Sequence, residues 1–346
     1  MRVLLIGGGV HPIPPTGYGA IERILTDLKA ALEAEGQEEA VVNRVRHRRM
    51  RDEYPFAWEL PRLLAAERYD VLHANTPVVA NRLAWSRLPY VYTSHSRHWY
   101  YRERLSHRWG YWLERRAVRR ASAVIALTEP LARTMRATVR PPLPPLSTVP
   151  FGVDLGRFAP DWARRSGHRA LGVGVVAPFK RWERAAAALR ASGVTLRIAG
   201  PIDSPDYADQ VRRAGTAVEL LGEVSETELA TLFAESDFLV HPSAVEILSA
   251  TVLEALAAGL PVIGGEAVRG VVDESVTGWC LPEPESAFVE RMRALAMTVA
   301  SDGGLRRRMG EAGRRVAEER YAWPKVAAQH LEVYRSVLGR SRPRGS

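Results

Sequence analysis

The sequence predicts an α/β protein of two doubly wound domains, and three observations carry that prediction. Short apolar runs alternate with helical stretches: Arg2–Gly9 (RVLLIGGG), Tyr69–His73 (YDVLH), Pro89–Ser94 (PYVYTS) and Ala123–Leu127 (AVIAL), then Leu171–Val176, Leu196–Ala199, Val218–Leu221, Phe238–Val240 and Val262–Ile263. Strands separated by helices return in the same direction and make parallel sheets. The second observation is length, since 346 residues of which 46% are hydrophobic are long for one domain and can fill two cores. The third is a break, formed by the proline-rich Arg140–Pro145 and the polar, arginine-rich Asp161–Arg169, which reads as a linker between residues 1–160 and 161–321.

In chain order, the first strand runs into a glycine-rich loop, and Gly17, Tyr18, Gly19 and Ala20 open a helix that reaches Glu35. A dinucleotide fingerprint would set G-x-G-x-x-G directly between strand and helix, whereas this loop is long and holds Pro12, Pro14 and Pro15. Ligands of parallel sheets gather at the carboxyl ends of the strands, where His73, Asn75 and His95 fall. On pattern alone each histidine is as readily structural as functional.

After His95, Arg97–Arg120 reads as one long helix in which Trp99, Tyr100, Tyr101, Trp109, Tyr111 and Trp112 are interleaved with arginines. The helical spacing of Trp109, Trp112 and Arg116 predicts aromatics packed inward while arginines snorkel. The competing reading is a peripheral contact with an anionic membrane, with Arg97, His98 and Trp99 touching an anionic or lipid-linked ligand.

Composition narrows the function classes. One cysteine, Cys280, excludes an internal disulfide and a cysteine-based zinc site, and its neighbours Trp279 and Leu281 predict simple burial. No apolar run approaches eighteen residues, and Met1-Arg2 leads straight into a strand without a signal-peptide layout, so a cytoplasmic protein is expected, at most peripheral at the inner face of the membrane. The formal charge of +9 suits an anionic partner. Its basic residues are scattered among acids, however, and no zinc finger, RNP signature or recognition-helix pattern is present, so nucleic acid is not expected. Only Lys29, Lys180 and Lys325 are lysines, so an arginine-rich composition accounts for much of the bias.

The richest stretch is His241–Gly265 (HPSAVEILSATVLEALAAGLPVIGG). Ser249–Ala258 predicts a short helix with Ser249 as its cap, ended by Gly259 and Pro261, before Val262 and Ile263 open a strand. Glu254 sits mid-helix with Ala250, Thr251, Ala257 and Ala258 three and four residues away, so its carboxylate stands among small side chains. Glu246 precedes the helix, whose unpaired amides favour an anion. Either glutamate alone is most simply a solvated carboxylate. Together they suit a nucleotide, because a carboxylate accepts from both ribose hydroxyls while a helix start cradles a diphosphate.

Pro242, Ser243, Glu246, Glu254, Ala255, Gly259, Pro261 and Val262 follow the pattern of the family-4 retaining glycosyltransferases of GT-B fold, which this chain resembles. Ser249 stands where the family usually has glycine. Gly19 and Glu22 resemble its Tyr-Gly-Gly-x-Glu segment, with Ala20 in place of the second glycine. Thr93 and His95 match a Thr-x-His segment whose histidine lies beside the transferred sugar. Val173, Gly174, Val176 and Lys180 match its phosphate-binding turn, with Val175 where the family has arginine and Arg181 where it usually has glycine. Trp323–Leu338 resembles its closing helix, which assigns 322–346 to the first domain.

The resemblance implies two Rossmann-like domains, the first on the acceptor side and the second holding a UDP-, GDP- or ADP-linked sugar. It implies a retaining hexosyltransferase with His95 and Glu246 as catalytic residues. Gly19, Ala20, Lys180, Arg181, Ser249 and Glu254 would bind the donor; Asn75, Arg97, His98 and Trp99 would face an acceptor, either a small molecule or a lipid-linked glycan. No D-x-D occurs, so no metal is expected on the diphosphate and no cofactor beyond the co-substrate. Two alternatives stay open: a non-hydrolysing nucleotide-sugar epimerase of the same architecture, and a degenerate protein that binds sugar nucleotides without turnover.

Overall fold

A computed structural model describes residues 1–8, 11–14, 20–42, 53–65, 68–85, 89–101, 103–282 and 285–341. Along the chain come β1 (Arg2–Ile6), α1 (Ala20–Ala34), β2 (Glu38–Val42), α2 (Glu53–Leu64), β3 (Val71–Ala74), α3 (Pro77–Leu83), β4 (Tyr90–Ser94), α4 (Leu105–Arg120), β5 (Ala123–Ala126), α5 (Glu129–Thr138) and β6 (Leu146–Thr148). There follow β7 (Arg169–Val173), α6 (Trp182–Ala188), β8 (Thr195–Ala199), α7 (Pro205–Ala214), β9 (Val218–Gly222), α8 (Glu226–Glu235), β10 (Phe238–His241), α9 (Ala250–Ala257), β11 (Val262–Gly264), β12 (Gly278–Cys280), α10 (Glu285–Ser301), α11 (Gly303–Val316) and α12 (Trp323–Ser341). The chain divides into two units, Met1–Gly152 with Trp323–Ser346, and Val153–Ala322.

The first unit is a parallel six-stranded sheet in the order β2-β1-β3-β4-β5-β6. Its central strands β1, β3, β4 and β5 are buried at nearly every position because helices cover both faces, which removes the inside/outside alternation. The connections through α2, α3 and α4 all step the same way across the sheet, so a right-handed crossover lays these three helices on one face. Accordingly α2 packs against α3 and α3 against α4. α1 steps the other way and packs with α12 on the opposite side, over Leu25, Leu28, Leu32, Val326, Leu331 and Tyr334. His73 ties this layer to the sheet: its Nδ1 lies 2.7 Å from the Tyr334 hydroxyl and its Nε2 2.7 Å from Thr93 Oγ1. It is buried, so desolvation holds its pKa well below the ordinary value, with His330 and His95 adding to the effect. His73 is therefore a neutral structural residue.

The second unit is also a parallel six-stranded sheet, in the order β12-β11-β10-β7-β8-β9. Ser204 caps α7, and Ser225 with Glu228 forms a reciprocal capping box on α8. Its core gathers Trp182, Phe238, Val240, Ile263, Phe288 and Met292, all buried.

The structure corrects three sequence expectations. Asp161–Arg169 is not a linker, and the boundary lies at Gly152 rather than residue 160. Val153 bridges to Ala322, Phe158 packs edge-on to Phe233, and the Gly167 and Arg169 amides donate to Asp237, so the chain from Val153 through Arg169 is held within the second unit. The same bridge keeps Ala322 in that unit, and the return to the first begins at Trp323. Arg97–Arg120 is not one helix, since a 3-10 turn, Arg97–Trp99, precedes α4. Cys280 is half-buried rather than enclosed, with its Sγ–H donating to the Gly265 carbonyl at 3.4 Å. No helix of the described residues is long and apolar enough to cross a membrane.

Candidate functional site

In the second unit, β7 and β8 are followed by Gly174 and Gly200 and β9 ends on Gly222, each with positive φ. Gly174 and Gly200 need to be glycine because the strands turn against one another: a Cβ on Gly200 would stand 2.2 Å from the Gly174 carbonyl oxygen. The sharp exit at Gly174, with φ of 144°, ends β7 earlier than the apolar run predicts and leads into a 3-10 turn, Pro178–Lys180. Arg181 follows at φ 58°, ψ 37°, in the left-handed region that glycine favours. It is held there by the buried Trp182, whose indole N–H donates to the Val175 carbonyl at 3.0 Å and whose ring fills the space above Gly172.

This turn aims Lys180 at the loop after β10. Lys180 Nζ donates to Glu246 Oε1 at 2.5 Å, and both side chains are largely buried. His241, at the carboxyl end of β10, lies 3.9 Å from the same carboxylate oxygen. Burial lowers the His241 pKa to about 4; the Lys180 charge lowers it further and Glu246 opposes this, so the ring is neutral at pH 7. Among the described residues neither ring nitrogen of His241 has a hydrogen-bond partner, nor has the buried Ser243 Oγ. Three buried polar atoms without partners beside one ion pair mark where a polar ligand would be satisfied.

The loop after β10 leads into α9, which carries Glu254. Ser249 occupies the cap position, yet its side chain makes no capping bond, contrary to the sequence expectation. The first-turn amides of α9 thus lack an acceptor from that hydroxyl. Glu254 is buried, on a helix whose residues from Val252 to Ala257 are all buried. The far end of α9 is fixed by residues absent from the sequence reading. Arg165 donates to the carbonyls of Ala258 and Gly259, and Arg314 to that of Ala257. Burial lowers the Arg165 pKa to about 10 without discharging it, so two cations stand at the negative end of the helix. Gly310 of α11 allows this approach, since a Cβ there would meet the Gly259 carbonyl oxygen at 2.1 Å. A polar, arginine-rich stretch between domains reads as a linker, which is why Arg165 was not legible.

In the first unit Asn75 and His95 come together as the sequence anticipates, with His95 Nε2 at 3.1 Å from Asn75 Oδ1. The Asn75 amide nitrogen donates to the carbonyls of Ile6 and His73, which turns its oxygen toward the ring. Nε2 therefore carries the proton and Nδ1 the lone pair. Burial lowers the His95 pKa to about 4, and nearby His330 adds to the shift, so it too is neutral. Gly19 lies outside the described residues; Ala20 is the exposed first residue of α1.

The acceptor-side candidates fare unevenly. Trp99 is fully buried, its indole N–H donating to Ser94 Oγ at 3.0 Å and its ring edge-on to Tyr111, so it anchors the turn and is not available to an acceptor. His98 is turned toward α4, with Nδ1 at 2.9 Å from His107 Nδ1 and its ring over Gly110, where a Cβ would come within 2.2 Å. Arg97 opens the 3-10 turn. One residue here was missed: Glu114, fully buried on α4, accepts from Tyr92 at 2.8 Å and Ser94 at 3.1 Å. Burial raises its pKa to about 7 against those hydrogen bonds. On a helix with five arginines a lone glutamate reads as a surface partner; helical phase alone did not reveal that it faces the sheet.

Comparison with known proteins places this geometry. Residues 22–157 match Glycosyltransferase Family 4, and residues 179–298 match Glycosyl transferases group 1. Alpha-maltose-1-phosphate synthase of Mycobacterium tuberculosis (strain CDC 1551 / Oshkosh) is 27% identical over 315 residues, covering 79% of this chain and 80% of that protein. Among solved structures, sucrose-phosphate synthase from Thermosynechococcus elongatus has a TM-score of 0.84 at 19% identity, covering 98% of this chain and 100% of the other. HepE of Anabaena, solved in complex with UDP-glucose, has a TM-score of 0.75 at 20% identity, covering 97% of this chain and 100% of the other.

Proposed function

The chain is a nucleotide-sugar-dependent glycosyltransferase of family 4 with the GT-B fold, and from that premise we propose how its residues divide the work. The second unit is the donor domain and the first the acceptor-side domain. Glu254 accepts from both ribose hydroxyls of a nucleoside-diphosphate sugar, and the amides at the start of α9 receive the diphosphate beside Ser249. Lys180 and Arg181 meet the charge that grows on the leaving phosphate, which stabilises the transition state more than the ground state. Glu246, with neutral His241 and Ser243, takes the hydroxyls of the transferred sugar, and His95 is the catalytic histidine of the first unit.

The observation that carries this reading is the Lys180–Glu246 pair set beside His241, whose ring nitrogens have no partner among the described residues. A cation and a carboxylate already in register, next to unsatisfied donors and acceptors, suit a ligand bearing a phosphate and hydroxyls together. The transfer proceeds with retention, the leaving phosphate accepting the acceptor's proton. It needs no metal, because Lys180, Arg181 and the α9 amides supply the positive charge that the leaving diphosphate requires. Incubation with UDP-, GDP- and ADP-sugars tests the proposal. Release of nucleoside diphosphate with one of them is expected. Epimerisation of the sugar without release, or binding without turnover, would each overturn it.

A further inference from the structure

The sequence expectation for α4 fails on one face, and the failure exposes a surface. Trp109 and Trp112 do not pack inward: they are 62% and 49% exposed, stacked on each other with ring centroids 5.0 Å apart, while Leu105 one turn earlier is 80% exposed. The inward face of α4 is instead Glu114, Ala117 and Val118. The outer stripe thus runs Leu105, Trp109, Trp112, Arg116, Arg119 at helical spacing. On the neighbouring helices of the same layer, Trp58 on α2 and Trp85 just after α3 are each 73% exposed. Exposed apolar side chains gathered on one layer mark a docking surface rather than scatter.

Charge identifies the occupant. Arg104, Arg108, Arg115, Arg116, Arg119 and Arg120 line α4 and its cap, and among the described residues none forms an ion pair. The helix's one carboxylate, Glu114, is fully buried, leaving exposed Glu103 just ahead of it as the nearest acid along the chain. We propose that the outward face of α2, α3 and α4 docks on an anionic membrane surface, the tryptophans entering the headgroup boundary while the arginines meet lipid phosphates. A second copy fits poorly, because a two-fold contact would set this arginine row against itself. The rings stand out from the layer, which suits an interface that receives side chains at any point. The inference does not rest on the transfer reaction: a chain without turnover would still bind.

Flotation of the full chain with phosphatidylcholine vesicles, with and without phosphatidylglycerol, tests it. Binding is expected only with phosphatidylglycerol, falling as salt rises through the range that screens charges about 10 Å apart. The pair Trp109→Ser with Trp112→Ser should weaken binding on the order of tenfold or more, and Arg108→Ser with Arg116→Ser should weaken it and flatten its salt dependence. Since these side chains are outside the core, an unchanged melting temperature and circular dichroism check folding of both variants. No association at low salt would overturn the proposal, as would association undiminished in both pairs. A dimer in sedimentation that the tryptophan pair dissolves would assign the face to a second copy and overturn it equally.

Discussion

Lys180 and Glu246, sixty-six residues apart in sequence, form one ion pair at the carboxyl edge of the second sheet. Each is motivated separately in the sequence, Lys180 as a rare lysine in a phosphate-binding turn and Glu246 as an acid before a helix; the fold makes them one group. If Lys180 neutralises the leaving phosphate, Lys180→Ala should lower turnover at saturating donor by about two to three orders of magnitude, the scale for removing one transition-state donor. Donor affinity should fall less. Turnover within a few-fold of the parent would remove Lys180 from the chemistry.

Arg181 separates backbone from side-chain roles. An L-residue in the left-handed region costs about 1–2 kcal/mol, which glycine largely avoids. Arg181→Gly should therefore be more stable than Arg181→Ala by about 1 kcal/mol in denaturant unfolding. If the guanidinium serves the diphosphate, both variants should lose turnover equally. Full activity in Arg181→Gly would mean that the residue serves only the turn.

Glu114 predicts a pH dependence. Its pKa rises from 4.5 to about 7 on folding, so between those values the folded chain holds a proton that the unfolded chain releases. Stability from this group is therefore full below pH 4.5 and is lost as pH rises through 7, by up to about 3 kcal/mol. His95, His241 and His330, each lowered from 6.5 to about 4, act the other way, losing stability as pH falls below 6.5. Glu114→Gln should leave the acid-side loss in place and remove the decline toward pH 8. Parallel melting curves of parent and variant from pH 5 to 8 would contradict this.

Metal removal separates two modes of leaving-group stabilisation. With Lys180, Arg181 and the α9 amides in that role, EDTA should leave the rate of nucleoside-diphosphate release unchanged. Abolition by EDTA with recovery on added divalent cation would replace this account by a metal-bridged one.

Much of the fold was legible because its signals are local. Apolar runs located β1, β3, β4, β5 and β8 to β11 within a few residues, and the glycine and proline after Ala258 ended α9 correctly. What was not legible depends on which way a residue faces. The stripe of Trp109 and Trp112 fits an inward or an outward helix equally well, and only the packing of Glu114, Ala117 and Val118 decides. Likewise nothing local ties Arg165 to the carbonyls of Ala258 and Gly259, more than ninety residues away, and no propensity anticipates that Ser249 would sit at a cap without capping.

The account stands most directly on Glu254, whose proposed role is the nucleotide's ribose. Titration calorimetry of the parent and Glu254→Ala with UDP-, GDP- and ADP-sugars measures it. One of these donors should bind the parent, and the variant, folded and melting near the parent, should bind it about ten- to hundred-fold more weakly, as expected for losing hydrogen bonds to a charged group. Equal affinity in the two proteins, or no binding of any of the three to the parent, would contradict it.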